Sequence, residues 1–587
     1  PAPPPHTTTA KSSAASDVYK RQPAFLETID VGGEPTSVSV TDDDMAVVAV
    51  RKDVLEEGAP PQIVPGVLLV IDLAANAIVK DIEIGHHPDS IATGVYDGTP
   101  FAVVAIENEP IVVDGDGNLT DGEEPGDPGD ISGPGLVQVV NLADGTVNDV
   151  PIALGAKYPF ADDPQPEFVD LRGTRAVVSL QENNGYAIID VRRALMGKGA
   201  DAVRRTFSAG TARNRAADLA DDDTISFTDT YPKDVAAEPF AGLRFPDAVG
   251  YSANGKYVLS ADEGEFDFTG GRGWSIRSRS GKLVWQDGGS LERAAVKAGQ
   301  YPDGRSDAKG IEVEGVEVGT YGDTEFAFVG SERGSFLAVY RLRKGGAKPE
   351  LIQLLPTGVS PEGILSLPER GLVVTSNEGT GDLSIFTGVP YLHRGTEDRP
   401  EVRSKRISTP WSAVSGLAGD ARSSRVLWGV PDNALPSELY RISLRGTRGT
   451  LTSTAITKDG DQARYDLEGI VADTSIAAPA ARRAAARHRA AARGARARYR
   501  RAAKAGKRAQ AARAKRALAY HRAKVRNHMR AGFWLAQEGN ADFGEDSYRP
   551  NLLIQVDRRG RVIKEIPLPE AIDSPDGGVI RGNGFEG

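Results

Sequence analysis

Short apolar runs that read as β-strands recur along the whole chain, separated by turns rich in Gly, Pro, Asp and Asn. One template returns eight times. It has an opening built on Pro or Glu-Gly, a run of Val, Ile, Leu or aromatic residues, an acidic or Gly-rich turn, and a further such run. Pro35-Thr-Ser-Val leads to Ala46–Val50 and Val67–Asp72, and Pro88-Asp-Ser-Ile leads to Phe101–Ala105 and Leu136–Asn141. Pro166-Glu-Phe-Val, Pro246-Asp-Ala-Val, Gly310-Ile-Glu-Val, Pro361-Glu-Gly-Ile, Val414-Ser-Gly-Leu and Leu467-Glu-Gly-Ile start the other six. Gly584-Phe-Glu-Gly587 starts a ninth that stops at once.

Units of roughly 45–80 residues, each with three or four strands, predict β-propeller blades. A small sheet cannot bury both faces alone. Stacked around an axis it can, and its strands then read as continuous apolar runs. The predicted fold is all-β, a propeller of four-stranded blades over 23–395. After a Gly-, Pro- and charge-rich stretch come, at 400–587, the first blades of a second or extended propeller, cut before closure. Phe25–Val31 is placed to complete the last blade of the first ring, and residues 1–22 read as a disordered tail.

The chain has 587 residues, 66 Gly, 37 Pro and no Cys. Zero Cys excludes disulfide scaffolds, cysteine zinc sites, iron–sulfur clusters and thiol nucleophiles. No run of 18 apolar residues is present, so no segment reads as a membrane span. The net charge of −11 hides a split: 478–531 holds 19 Lys and Arg and no Asp or Glu, leaving 51 basic against 81 acidic residues elsewhere. The acidic body and its composition point to an extracellular or cell-surface protein, with no signal peptide in this fragment.

The basic block is Ala- and Arg-rich and predicts two or three helical pieces with hinges at Gly494 and Gly506. It is an insertion in a blade loop, between the strands Leu467–Val471 and Phe533–Ala536. It is either a solvated projection without a partner or a contact for an anionic envelope polymer; nucleic acid is the disfavoured partner.

Two acidic constellations stand out. In Asp114-Gly-Asp-Gly-Asn-Leu-Thr-Asp-Gly-Glu-Glu124, the oxygens of Asp114, Asp116 and Asn118 alternate, with Asp121, Glu123 and Glu124 to complete a Ca2+ shell. The other reading is a solvated acidic hairpin. The second constellation repeats with the blades. Acidic turns follow the inner runs at Glu107, Glu182, Asp262-Glu263, Glu332, Glu378 and Glu538, and opening glutamates recur at Glu312, Glu362, Glu468 and Glu586. Superposed blades would gather Asp262, Glu263, Glu362, Glu378 and Glu538 on one rim, able to hold divalent cations and a phosphate. Alternatively each acid satisfies backbone N–H groups of its own turn, a role whose recurrence in every blade it would explain. His86-His87 reads as part of a turn. No Gly-x-Ser-x-Gly elbow, Walker loop or HExxH occurs, which disfavours a serine esterase.

Pro246-Asp-Ala-Val with Ala261-Asp-Glu-Gly-Glu-Phe-Asp267, and Pro361-Glu-Gly-Ile with Ser376-Asn-Glu-Gly-Thr380, resemble the choice-of-anchor I propellers of bacteria, over about 25–390. Residues 28–90 also look like YVTN-type surface-layer repeats. Trp411–Asp420, Asp466–Asp473, Gly532–Gly539 and Asn583–Gly587 are similar to the family called esterase-like activity of phytase. These resemblances imply a secreted bacterial phosphoesterase, hydrolysing a phosphorylated small molecule with a metal held by Glu468 and Glu586 as catalytic candidates. The alternative is a non-enzymatic surface propeller that binds envelope components.

Overall fold

Alternate residues of the strand Thr99–Ile106 face opposite neighbours. Phe101 and Val103 pack with Val169, Val178 and Ile189, while Ala102, Val104 and Ile106 pack with Val47, Leu68 and Val70. The period-two pleat therefore buries both faces of one sheet between two others, and this explains the unbroken apolar run. The computed structural model describes residues 27–567, except 42, 53–63, 108–110, 114–118, 122–134, 233–239, 266–268, 344–347, 388–399, 421–422, 434, 474–478, 529–531 and 539–549.

The architecture is that of a β-propeller, with consecutive antiparallel sheets as blades. The inner strands of blades 1 to 8 are Glu34–Val40, Pro88–Tyr96, Pro166–Arg172, Val249–Tyr251, Val316–Tyr321, Pro361–Leu367, Val414–Asp420 and Leu467–Asp473. Inner strands touch in succession from blade 1 to blade 6, and blade 7 touches blade 8. Further cores lie between blades 4 and 5 around Trp274, Phe336 and Tyr340, and between blades 7 and 8 around Trp428, Phe533 and Ile554. Trp411, leading into blade 7, donates its Nε1–H to the carbonyl of Lys297 at 2.9 Å, and Arg464 pairs with Asp223 at 2.9 Å. These two contacts tie blades 7 and 8 to the segments flanking blade 4.

Among the described residues, six sheets have the expected four strands. Blade 6 has three, among the described residues, and blade 7 has five because Glu401–Ser404 pairs parallel with Arg448–Leu451. Blade 5 starts at Val316 rather than at Gly310; the buried Ile311 and Val313 instead pack inward from a loop. The expected closing strand at 25–31 is not formed over its described part. Residues 27–31 form no strand, and Ile29 and Val31 lie on Val48, Val50 and Ile71 of blade 1. Apolar side chains without a strand edge to pair with simply cover the nearest open face.

The basic insertion is a helical hairpin, Pro479–Lys504 and Arg508–His528. Gly494 is no hinge: the first helix runs through it. The single break is at Gly506, which takes φ +66°, a left-handed conformation that costs glycine nothing. Buried Ala495, Ala502 and Ala514 let the two helices approach closely, and His488 Nδ1 lies 3.0 Å from His521 Nδ1 across them. Among the described residues no helix is long and apolar enough to cross a membrane.

Candidate functional site

One backbone device is repeated at the same end of the blades. The turn leaving the second strand folds back and donates its N–H to a carbonyl one to four residues before the inner strand. The pairs are Glu107 to His87 (2.9 Å), Gly264 to Phe245 (3.2 Å), Glu332 to Glu312 (2.9 Å), Glu378 to Ser360 (2.8 Å) and Glu538 to Asp466 (3.0 Å). A bulge in the first residues of the inner strand accompanies it in blades 2, 6 and 8, and blade 3 has the same bulge. The residue after the opening Pro and the turn acid are thereby brought to one rim.

Most blades carry acids at both positions. They are Asp89 and Glu107 in blade 2, Glu167 and Glu182 in blade 3, Asp247 and Glu263 in blade 4, Glu314 and Glu332 in blade 5, and Glu362 and Glu378 in blade 6. Burial, followed by the charges of Glu107, Asp247, Glu182 and Asp89, pushes Glu167 well above the carboxylate range. Burial, Glu263, Asp89 and Glu362 do the same to Asp247. Glu314 is pushed up to about 12 by burial with Glu263, Asp247 and Glu332, and Glu362 to about 7 by burial with Glu378 and Glu332. The repulsion thus links carboxylates of five blades around a common axial mouth.

Two groups of three carboxylates there are close enough for one cation, their oxygens all within 4.8 Å of one another: Glu107, Glu167 and Glu182, and Glu263, Glu312 and Glu314. The second group has its counter-ion in the chain. Lys309 Nζ lies 2.6 Å from Glu263 Oε1 and 3.0 Å from Glu312 Oε1, while Arg305 and Arg333 reach Glu312 Oε2 at 2.9 and 3.0 Å. Burial alone would raise Glu312, but these three cations hold it below its usual range. Near the first group, His87 Nδ1 faces Glu107 Oε2 at 3.7 Å, and Arg51 Nη1 faces His87 Nε2 at 3.5 Å. A guanidinium only donates, so Nε2 is the acceptor and Nδ1 carries the proton. Burial and the nearby Arg51 and His86 charges lower His87 to about 3, leaving a neutral ring.

Of the residues expected on the rim, Glu263, Glu362 and Glu378 meet here. Asp262 does not: it turns into the blade, fully buried, pairs with Arg244 and accepts from Ser260 and Ser275 at 2.8 and 3.0 Å. Adjacent strand residues point to opposite sides, so Asp262 and Glu263 cannot share a role. Glu468 lies in a separate three-carboxylate group with Asp432 and Asp466. Glu538 flanks it through its N–H. Burial and Asp432 raise Asp466 to about 6. Glu586 and the loop residues Asp114, Asp116, Asn118, Glu123 and Glu124 lie outside the described residues. Asp121 ends a short strand that pairs with Ile111–Val113 as an insertion in blade 2. Sequence reasoning missed Asp89, Glu167, Asp247, Glu314 and Lys309. The acid directly after the opening Pro was the available signal for three of them.

Among solved structures the chain is similar to the Pseudomonas aeruginosa periplasmic gluconolactonase PpgL, at 14% identity and TM-score 0.38, covering 61% of this chain and 82% of that one. A Lactobacillus plantarum protein matches at 14% identity and TM-score 0.35, covering 60% and 80%. Kuenenia stuttgartiensis hydrazine synthase matches at 11% and 0.31, covering 62% and 98%. No curated protein matches. The choice-of-anchor I domain model matches residues 7–269 and 266–345, more than half of the sequence and all of the blades that supply the axial carboxylates from Asp89 to Glu332. The chain belongs to the choice-of-anchor I domain family.

Proposed function

We propose that this propeller is displayed outside the cell or on its surface and that its axial mouth binds and hydrolyses a phosphomonoester with the help of a divalent cation. The observation that supports this reading is the meeting of many carboxylates with Lys309, Arg305 and Arg333 at one mouth. Carboxylates alone repel a phosphate. A divalent cation among them would offset the phosphate charge and polarise a phosphoryl oxygen. Lys309, Arg305 and Arg333 stand where they would draw the remaining phosphate oxygens by charge-assisted hydrogen bonds. Carboxyls raised toward neutrality, such as Glu362, suit proton transfer near pH 7.

The test is turnover of a generic phosphomonoester by the full chain with calcium and with chelator. Calcium-dependent turnover that falls in Glu263→Gln supports the mouth as its seat. Turnover lost instead in Glu468→Gln moves it to the Asp432, Asp466 and Glu468 group. No turnover under either condition overturns the hydrolytic reading. A second reading, a non-enzymatic surface module, draws on the basic helical hairpin. Retention on an anionic polymer without turnover would favour it.

A further inference from the structure

The two axial carboxylate groups differ in one respect. Lys309 neutralises Glu263 and Glu312, whereas neither Glu167 nor Glu182 pairs with a Lys or Arg among the described residues. Glu182 is 6% exposed and its Oε2 is buried with no hydrogen-bond partner, while one of its carboxylate oxygens lies within 4.8 Å of oxygens of Glu107 and Glu167. A buried carboxylate oxygen without a donor costs free energy unless a proton or a cation completes it, and a bound cation would displace the proton that burial otherwise keeps on this group.

We propose that Glu107, Glu167 and Glu182 form a calcium site between blades 2 and 3. All three ligands are hard oxygens, up to six in number, as calcium prefers. Their supports are rigid. Glu107 is anchored by its N–H on His87 O, and Glu167 is the second residue of the inner strand of blade 3. The turn bearing Glu182 is clamped by Asn183. Its Nδ2 donates to the carbonyls of Pro159, Phe160 and Asp163 at 3.2, 3.0 and 2.8 Å, and its Oδ1 accepts from Gln165 N–H at 2.8 Å. Gln181 beside it reaches Glu263 and Glu265 of blade 4 at 3.0 and 3.1 Å, so the two carboxylate groups share one framework. The calcium here does between blades 2 and 3 what Lys309 does between blades 4 and 5.

This deepens the hydrolytic reading but is decided by binding rather than turnover. Calorimetric titration of calcium chloride into the chelator-treated full chain should show binding, with thermal unfolding moved up by several degrees. Glu182→Gln should weaken binding at least about tenfold, by removing one ligand charge. Glu167→Gln serves as the second variant should the first fail to fold, and is expected to behave alike. No binding by the unsubstituted chain, or equal binding by a folded variant, overturns the site. Calcium binding without phosphatase turnover would leave this site standing and remove the hydrolytic reading alone.

Discussion

Lys309 Nζ lies 2.6 Å from Glu263 Oε1, and this one ion pair joins the segment before blade 5 to the turn of blade 4. The same ammonium meets Glu312 at 3.0 Å and is itself mostly buried. Removing a buried charge leaves its partners uncompensated, which costs more than the pair contributes. Lys309→Met should therefore destabilise the fold by about 3 kcal/mol in urea unfolding. A loss below about 1 kcal/mol would show the mouth to be wetter than the geometry implies.

How Lys309 is held explains a second prediction. Arg272 Nε and Glu292 Oε1 pair at 2.7 Å, both fully buried, and Arg272 also donates to the carbonyls of Ser306 and Ala308 at 3.0 and 3.1 Å. Gly310 closes this cradle at φ +67°, where an added Cβ would stand 2.5 Å from Glu292 Oε1 and 2.6 Å from Arg272 Nη2. Gly310→Ala combines strain with that clash and should cost about 2 kcal/mol or more. An unchanged urea midpoint would mean the cradle yields freely.

The blades were legible in the sequence because short β-branched runs, repeated with turns between them and no intervening helices, fit sheets stacked on both faces. Ala46–Val50 and Leu136–Asn141 are strands where their composition put them. The acids after the opening prolines were visible too, at Asp89, Glu167 and Asp247. Which of them meet was not. Convergence depends on how far each blade is rotated from the last, a long-range relation that no local spacing encodes. Asp262 and Glu263 show the limit: one register step decides between a buried partner for Arg244 and a rim carboxylate. Lys309 and Arg272 were invisible because they come from segments that do not repeat.

The raised carboxyls set a pH dependence. Burial first, then neighbouring charge, raises Glu317 to about 8, Glu362 to about 7 and Glu314 to about 12 in the fold, against an ordinary glutamate value of 4.5. From about pH 4.5 upward the unfolded chain gives up these protons while the fold keeps them. Stability is therefore full at acid pH and falls as pH rises through about 8, by about 1.4 kcal/mol per pH unit for each well-buried carboxyl kept protonated and by less for Glu362, which is exposed and screened by solvent. Glu312, held low by Lys309, contributes the opposite slope below its ordinary value. Unfolding free energy measured with chelator at about pH 5 and about pH 8 should be lower at the higher value, and Glu317→Gln should flatten the fall. A rise in stability over that window would contradict the burial of these groups.

Blade stacking predicts where a single cavity hurts most. Trp274 of blade 4 is 1% exposed, with Trp285 at 4.7 Å and Tyr340 of blade 5 at 4.8 Å between ring centroids. Trp274→Ala empties the seam between two blades and should cost about 4 kcal/mol. Exposed Trp→Ala changes have no such effect, so a cost below about 1 kcal/mol would mean that blades 4 and 5 do not pack as described.

The helical hairpin should be removable, because its ends meet. Asp473 pairs directly with Gly532 across the strands of blade 8, so a two-residue turn such as Asn-Gly can replace everything between them. Among the described residues, the core beneath, Phe533 and Leu535 against Trp428 and Ile554, takes no side chain from either helix. Excision should therefore leave the unfolding free energy of the chain within about 0.5 kcal/mol. It also removes the 19 basic residues and no acid of the block. The intact chain should bind a soluble polyphosphate at low ionic strength and release it as salt screens the attraction. The excised chain, with 51 basic against 81 acidic residues, should bind it far more weakly in the absence of calcium. Loss of folding on excision would make the hairpin part of the blade, and unchanged polyphosphate binding would place the polyanion elsewhere on the propeller.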